Sequence, residues 1–256
     1  MKQKLTLIKV GGKIVEDEKS LAQLLKHFTA IEGKKLLVHG GGRTATDMAT
    51  RLGIETKMVN GRRITDQEML RVVTMVYAGL VNKNVVAQLQ ACGINALGLT
   101  GADMNVMRSR IRPVKEIDYG YVGDVECVDG ALLADLIHKN IVPVMAPLTH
   151  DGKGHLLNTN ADTIAGETAK ALAKYFDVTL TFCFEKKGVL QNPDDDNSVI
   201  PHIATTDFST LVENGTISGG MIPKIQNSIE AVEAGVKRVV ITLATAIDGT
   251  EGTEIS

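Results

Sequence analysis

Apolar, β-branched runs alternate along this chain with segments whose apolar residues recur at helical spacing. LTLIKV (Leu5 to Val10) precedes a helix-period stretch from Ser20 to Phe28, and KLLVHG (Lys35 to Gly40) precedes another from Thr44 to Leu52. INALGL and IVPVMAP continue the series, the latter after a helical segment from Asp129 to Lys139. Runs that are apolar on both faces and separated by helices predict an α/β fold with a mainly parallel central sheet covered on both sides. The longest predicted helix begins at Thr65, whose spacing to Glu68 fits a capping box, and stops at Gly93. Between Asn105 and Val128 the pattern changes to short strands and turns, and LTHDGKGHLLN (Leu148 to Asn158) predicts a hairpin around Asp151-Gly152. The α/β rhythm then resumes: a helix from Asn160 to Lys174, the strand VTLTFC, helices from Thr206 to Asn214 and from Met221 to Ala234, and the strand RVVITL. A boundary between two lobes, 1–175 and 176–256, is placed near Tyr175.

At 256 residues, 44% hydrophobic and 23% charged, the chain has the make-up of a globular protein, and a formal charge of -2 gives no reason to expect a nucleic acid or an anionic membrane as partner. The three cysteines, Cys92, Cys127 and Cys183, show neither paired nor CxxC spacing, which fits a reducing cytoplasm. No signal-peptide core or transmembrane-length apolar stretch is present, so a soluble cytoplasmic protein acting on a small molecule is expected.

Within this pattern a few residues stand out. Lys9 sits in the first apolar run, just before Gly11 and Gly12, where an ammonium either reaches solvent at the strand end or is kept for chemistry. Three glycines follow the second strand in VHGGGRTATDMA and precede a helix, a place for a phosphate or carboxylate. Gly40, Gly42 and Ala45 also fit a dinucleotide-binding GxGxxA. The acidic residue expected about twenty positions later is missing, because that region reads MVNGRRIT. No P-loop, HExxH or GxSxG exists, and the six histidines, His39 included, read as satisfied or exposed side chains rather than metal ligands. The acidic run in NPDDDN reads as a solvated turn, so no protein metal site is expected. Asn158, Asn160 and Asp162 stand at a helix start, where any of them could cap. Lys224 lies in the first turn of a helix with the apolar stripe Ile222, Ile225, Ile229 and Val232. A cation is disfavoured at that end of the helix dipole unless an anion joins it.

Taken in order, KVGG with Lys9, HGGG with Gly41 and Gly42, NGRRIT with Arg63, NTNAD with Asn158 and Asp162, GGMIPK with Lys224, and the terminal GTEI resemble the amino-acid kinase family over nearly the whole chain. NGRRIT, the VNK of Val81 to Lys83 and NTNAD look most like its acylglutamate branch. The resemblance implies an open αβα sandwich with an N-terminal lobe for the acylated amino acid and for dimerisation, and a C-terminal lobe for ATP. It also implies an ATP-dependent kinase of arginine biosynthesis acting on the γ-carboxylate of an N-acylated glutamate, N-acetyl-L-glutamate by default. Lys9 and Lys224 would face the transferring phosphoryl group, Asp162 would hold both ammonium groups, and the Gly41 and Gly42 amides would approach the phosphate. Arg63 and Asn158 would bind the substrate, and Gly11, Gly12, Glu185, Gly188, Gly220, Met221 and Lys224 would lie on the nucleotide side. Where relatives commonly read S-D-V-x-G, this chain has FEKKG, Phe184 to Gly188, so Glu185 replaces an aspartate.

The chemistry agrees with these roles. A γ-carboxylate, with a reference pKa of about 4.3, is ionised at neutral pH and needs no general base. The obstacle is anion meeting anion, which ammonium groups, glycine amides and Mg²⁺ carried on ATP relieve. A succinylated substrate, another amino-acid kinase activity, a dinucleotide-dependent oxidoreductase and a non-catalytic binding module are the alternatives. Only Met1 to Lys4 precede the first strand, too few residues for an interlacing N-terminal helix, so a homodimer insensitive to arginine is expected.

Overall fold

The computed structural model describes the chain except Met1, Asn60, Pro193, 218–220 and 249–250, and the side chain of Pro223. Its centre is an eight-stranded sheet. From edge to edge the strands are His202–Ile203, Thr253–Ile255, Arg238–Leu243, Phe176–Phe184, Gln3–Val10, Lys34–His39, Val142–Met145 and Ala96–Leu99. Every pairing is parallel except that of Arg238–Leu243 with Thr253–Ile255. The first strand lies in the middle, in register with Phe176–Phe184 over its whole length. Its alternate residues enter different cores: Leu5 and Leu7 pack in the larger one with the helices Ala161–Leu172 and Met221–Glu233, whereas Ile8 and Val10 pack in the smaller one with Leu21, Leu24 and Phe28 of the helix Glu18–Ala30. This double burial is why LTLIKV reads as a continuous apolar run.

Two-residue alternation puts Lys9 on the same face as Leu5 and Leu7, at the carboxyl end of the strand. Of the two helices that cover this face, Ala161–Leu172 follows the strand Leu156–Asn158 and Met221–Glu233 follows the helix Phe208–Glu213, and the first turns of both, with Asp162 and Lys224, lie close to Lys9. Ligands of open α/β sheets bind at this end of the strands.

The predicted crossover helix is present as Gln67–Val73, a π-helical segment Thr74–Val81, and Asn82–Ala91. Its cap, however, is Asp66, whose Oδ1 accepts the Met69 N–H at 2.8 Å. Thr65 cannot cap because its backbone is already committed to the 119–121 segment, accepting from Tyr121 N–H and donating to Tyr119 C=O. The π segment was not foreseen. The hairpin Leu148–His150/Leu156–Asn158 forms as expected, within a four-stranded sheet that also holds Met107–Ile111 and Gly123–Val128.

Lys35 is buried to the same degree as Lys9, but its Nζ donates to the carbonyls of Phe28, Thr29 and Ile31 at 3.2, 2.9 and 2.6 Å, closing the carboxyl end of the helix Glu18–Ala30. Its charge thus has a structural explanation in the helix dipole. Lys9 has none of that kind. Among the described residues no helix is long and apolar enough to cross a membrane.

Candidate functional site

Lys9 Nζ lies 2.7 Å from Asp162 Oδ1. A carboxylate has about four acceptor sites, so Asp162 paired with one ammonium can still accept from a second partner. Asp162 owes its position to Asn160, whose Oδ1 accepts the N–H groups of Asp162 and Thr163 and so starts the helix Ala161–Leu172. Of the three residues read as possible caps, Asn160 is the cap. Asn158 lies in the hairpin strand and donates to Thr65 Oγ1 at 2.9 Å.

From the other side comes Lys224, its Nζ 3.5 Å from the centre of the Phe184 ring, with Lys9 Nζ 6.0 Å from the same centre. Burial holds the Lys224 ammonium below the ordinary lysine range. The Asp162 charge opposes this shift, and the Lys9 charge adds to it. Two ammonium groups therefore stand at one aromatic face, Lys9 paired with Asp162 and Lys224 within reach of the same charge. This arrangement is short of negative charge, and an anion would complete it.

Two glycine turns meet beside this cluster. A Cβ built on Gly40 would stand 3.1 Å from Gly12 N, and one built on Gly12 would stand 3.5 and 3.6 Å from the amide nitrogens of Gly42 and Gly41. Gly41 has φ +150° and presses on Tyr77 and Val81, so a side chain there is excluded twice over. At the start of the helix Gly42–Arg51 the Thr44 N–H is taken by Glu16 Oε1 at 2.8 Å, whereas the Gly41 and Gly42 amides have no acceptor among the described residues. They remain available for an anion.

Those amides open into a cavity of about 180 Å³ lined by Gly41, Gly42, Arg63, Asn158 and Asn160, together with Tyr77, Val122 and Pro147. The structure thus brings Gly41, Gly42, Arg63 and Asn158 into one space. Arg63 is 6% exposed and donates to Gly42 C=O and Thr46 Oγ1, both at 2.8 Å, and to Thr56 Oγ1 at 3.2 Å. Among the described residues no carboxylate pairs with it. A buried guanidinium held only by neutral acceptors is suited to a carboxylate ligand.

The residues expected on the nucleotide side are less closely gathered. Gly11 and Gly12 form the first glycine turn. Glu185 is exposed and pairs with Lys13, which holds its carboxyl below the usual range. Met221 packs against the larger core, and Gly188 faces Thr253 and Val199, which gives its missing Cβ a packing reason. Gly220 lies outside the described residues, as do Gly219 and Asn60 of the quoted motifs. Asp196 of the acidic run pairs with Lys186 at 2.6 Å, an exposed contact. Sequence reading also missed Tyr77, which reaches Gly41 only through the fold, and Lys13 and Glu16, which follow the KVGG turn directly but meet Glu185 and the Thr44 N–H only in the folded chain.

The amino acid kinase family matches residues 4–243. The chain belongs to the amino acid kinase family. Among family relatives, the acetylglutamate kinase of Bacteroides thetaiotaomicron is 71% identical over 255 residues, covering 100% of this chain and 99% of its own length. The acetylglutamate kinase of Methanopyrus kandleri is 42% identical, over 93% of this chain and 94% of its own. Among solved structures, carbamate kinase from Giardia lamblia bound to AMP-PNP superposes with a TM-score of 0.71 at 16% identity, covering 98% of this chain and 97% of that one. At that identity the likeness concerns the amino acid kinase fold alone, and it bears out the expected open α/β sandwich.

Proposed function

We propose that this chain transfers the γ-phosphoryl group of ATP to the γ-carboxylate of N-acetyl-L-glutamate, a step of arginine biosynthesis. The observation that carries the reading is the Lys9–Asp162–Lys224 cluster beside the Gly41 and Gly42 amides, which have no acceptor among the described residues, and the buried Arg63, which has no carboxylate partner among them. Relatives named acetylglutamate kinase at 68 to 71% identity over essentially the full chain support the substrate.

In the proposed reaction one γ-carboxylate oxygen of the substrate attacks the γ-phosphorus in line, and the bond to the β–γ bridging oxygen breaks to release ADP. Arg63 and Asn158 hold the acylated amino acid with its γ-carboxylate toward the Gly41 and Gly42 amides. Lys9 neutralises charge from the acceptor side and Lys224 from the ADP side, and Asp162 keeps both ammonium groups in place. Negative charge spreads over the equatorial oxygens in the transition state, so fixed cations and N–H donors stabilise it more than they stabilise the separated reactants. No step needs a general base. Magnesium rides on the ATP phosphates and neutralises charge there. Residues 1–175 form the acylamino-acid lobe and 176–256 the nucleotide lobe, with Gly11, Gly12, Glu185, Gly188, Gly220 and Met221 on the nucleotide side.

The test is ADP release with ATP–Mg²⁺ and N-acetylglutamate, N-succinylglutamate, glutamate, aspartate or UMP. Turnover with N-acetylglutamate at least tenfold above the rest supports the reading, and equal turnover with free glutamate overturns it. We extend the proposal to a homodimer in the cytoplasm. Met75 and Leu80 of the π segment are 56% and 46% exposed, an apolar surface that self-association would cover. Light scattering is expected to give twice the chain mass of 27.4 kDa. A monomer at micromolar concentration would contradict it.

A further inference from the structure

His39 ends the strand Lys34–His39 and is fully buried, and its neighbours allow it one protonation state. Asn82 Nδ2 donates to the Val144 carbonyl at 2.9 Å and lies 3.0 Å from His39 Nε2. A carbonyl can only accept, so the nitrogen end of the Asn82 amide faces both groups, and Nε2 must be an acceptor. The ring proton is therefore on Nδ1, 2.7 Å from the Gly40 carbonyl oxygen, to which it donates. Protonating Nε2 as well would set an N–H against an NH₂ group. Burial, with the Lys83 charge adding to it, holds the imidazolium pKa down at about 4, so the ring is neutral at physiological pH.

The Gly40 carbonyl shares a planar trans peptide with the Gly41 N–H, and in such a peptide the two groups point in opposite directions. Tying the carbonyl inward to the histidine aims the N–H outward, and that amide has no acceptor among the described residues and borders the cavity. The other flank of Gly40 is tied as well, its N–H donating to Val10 C=O at 2.9 Å. The π-helical segment supplies the support: Tyr77 and Val81 press on Gly41, and Asn82 follows directly after it. Neither glycine could set this peptide alone, since glycine has the widest choice of backbone conformations.

We propose that His39 is a positioning residue of the phosphoryl-transfer site: its Nδ1–H holds the Gly40 carbonyl so that the Gly41 N–H stays aimed at the transferring group, and Asn82 sets the tautomer. The proposal rests on the kinase reading above. Three measurements test it on the full chain. In ¹⁵N-histidine-labelled protein, the His39 signals, identified by their loss in His39→Asn, are expected to show the Nδ1–H tautomer. An Nε2–H tautomer would overturn the proposal.

His39→Asn keeps a donor at the Nδ1 position and is expected to retain kcat within about threefold. His39→Leu removes the donor and is expected to lower kcat about 10- to 100-fold with KM for both substrates within about threefold, less than the full ~10²–10³ of a deleted oxyanion donor because the Gly41 amide is loosened rather than lost. A folded His39→Leu with unchanged kcat, or a folded His39→Asn as slow as His39→Leu, would overturn the proposal. Should His39→Leu fail to fold, the nitrogen shifts and the His39→Asn kinetics decide alone. A wild-type chain without kinase activity would remove the kinase reading, and the proposal with it, while the tautomer would still be read from the nitrogen shifts.

Discussion

Replacing Lys224 or Lys9 by alanine is expected to lower turnover about 10²–10³-fold, the range for deleting one preorganised charge at a transferring group. Melting temperature should change little, because neither ammonium supports the fold as Lys35 does through its three carbonyl contacts. Arginine should not rescue either position. A guanidinium could stack on the Phe184 ring that Lys224 Nζ approaches to 3.5 Å, but its broad planar fork of donors cannot aim as a compact ammonium does at one cluster of phosphoryl oxygens. Because burial lowers the Lys224 pKa, its charge is lost as pH rises before that of an exposed lysine. The alkaline limb of kcat/KM for ATP, which reports the free enzyme, should therefore lie below the ordinary lysine range in the wild type and vanish in the slow Lys224→Arg variant. Near-normal turnover in either alanine variant would remove that lysine from the mechanism.

Asp162→Asn is expected to separate activity from stability. Asn160 caps the helix through its own side chain, so within the helix the substitution removes a favourable first-turn charge and leaves the cap intact, a loss of about 0.3–1 kcal/mol to which the lost Lys9 ion pair adds. The effect on chemistry is larger. Lys9 loses the carboxylate 2.7 Å away, and the two ammonium groups are left to repel one another over the Phe184 ring. Displacement of a catalytic group by about 1 Å can cost ~10²-fold, and a fall in kcat of that order is expected. A melting temperature that collapses together with activity would show Asp162 to be structural.

Much of this was legible along the chain because the relevant physics is local. Alternating apolar runs and helix-period segments announce a parallel sheet, since each strand must be buried on both faces. KVGG and HGGG announce tight turns at strand ends because only glycine permits the conformation and the contact made by Gly41. Arg63 and Asn158 were legible only as parts of ordered motifs, because nothing local distinguishes a ligand-binding arginine from a solvated one. The capping residue was misjudged by one position at Thr65. There a long-range pairing with residues 119–121 took the backbone groups that a cap requires, and Asp66 served instead.

Residue order alone thus established the fold class, the placement of Lys9 and the glycine turns at strand ends and of Lys224 in a helix's first turn, and the family likeness. The tertiary structure decided which of two equally buried lysines is structural. Lys35 meets a helix end close to it in sequence, whereas Lys9 meets Asp162, a residue 153 positions away. It also decided that His39 is neutral, through an asparagine at the end of a π segment that no periodicity had predicted. The physical reason is common to both cases. A side chain's charge state and purpose depend on the groups within a few ångströms, and here those groups come from elements that only the sheet's crossovers bring together.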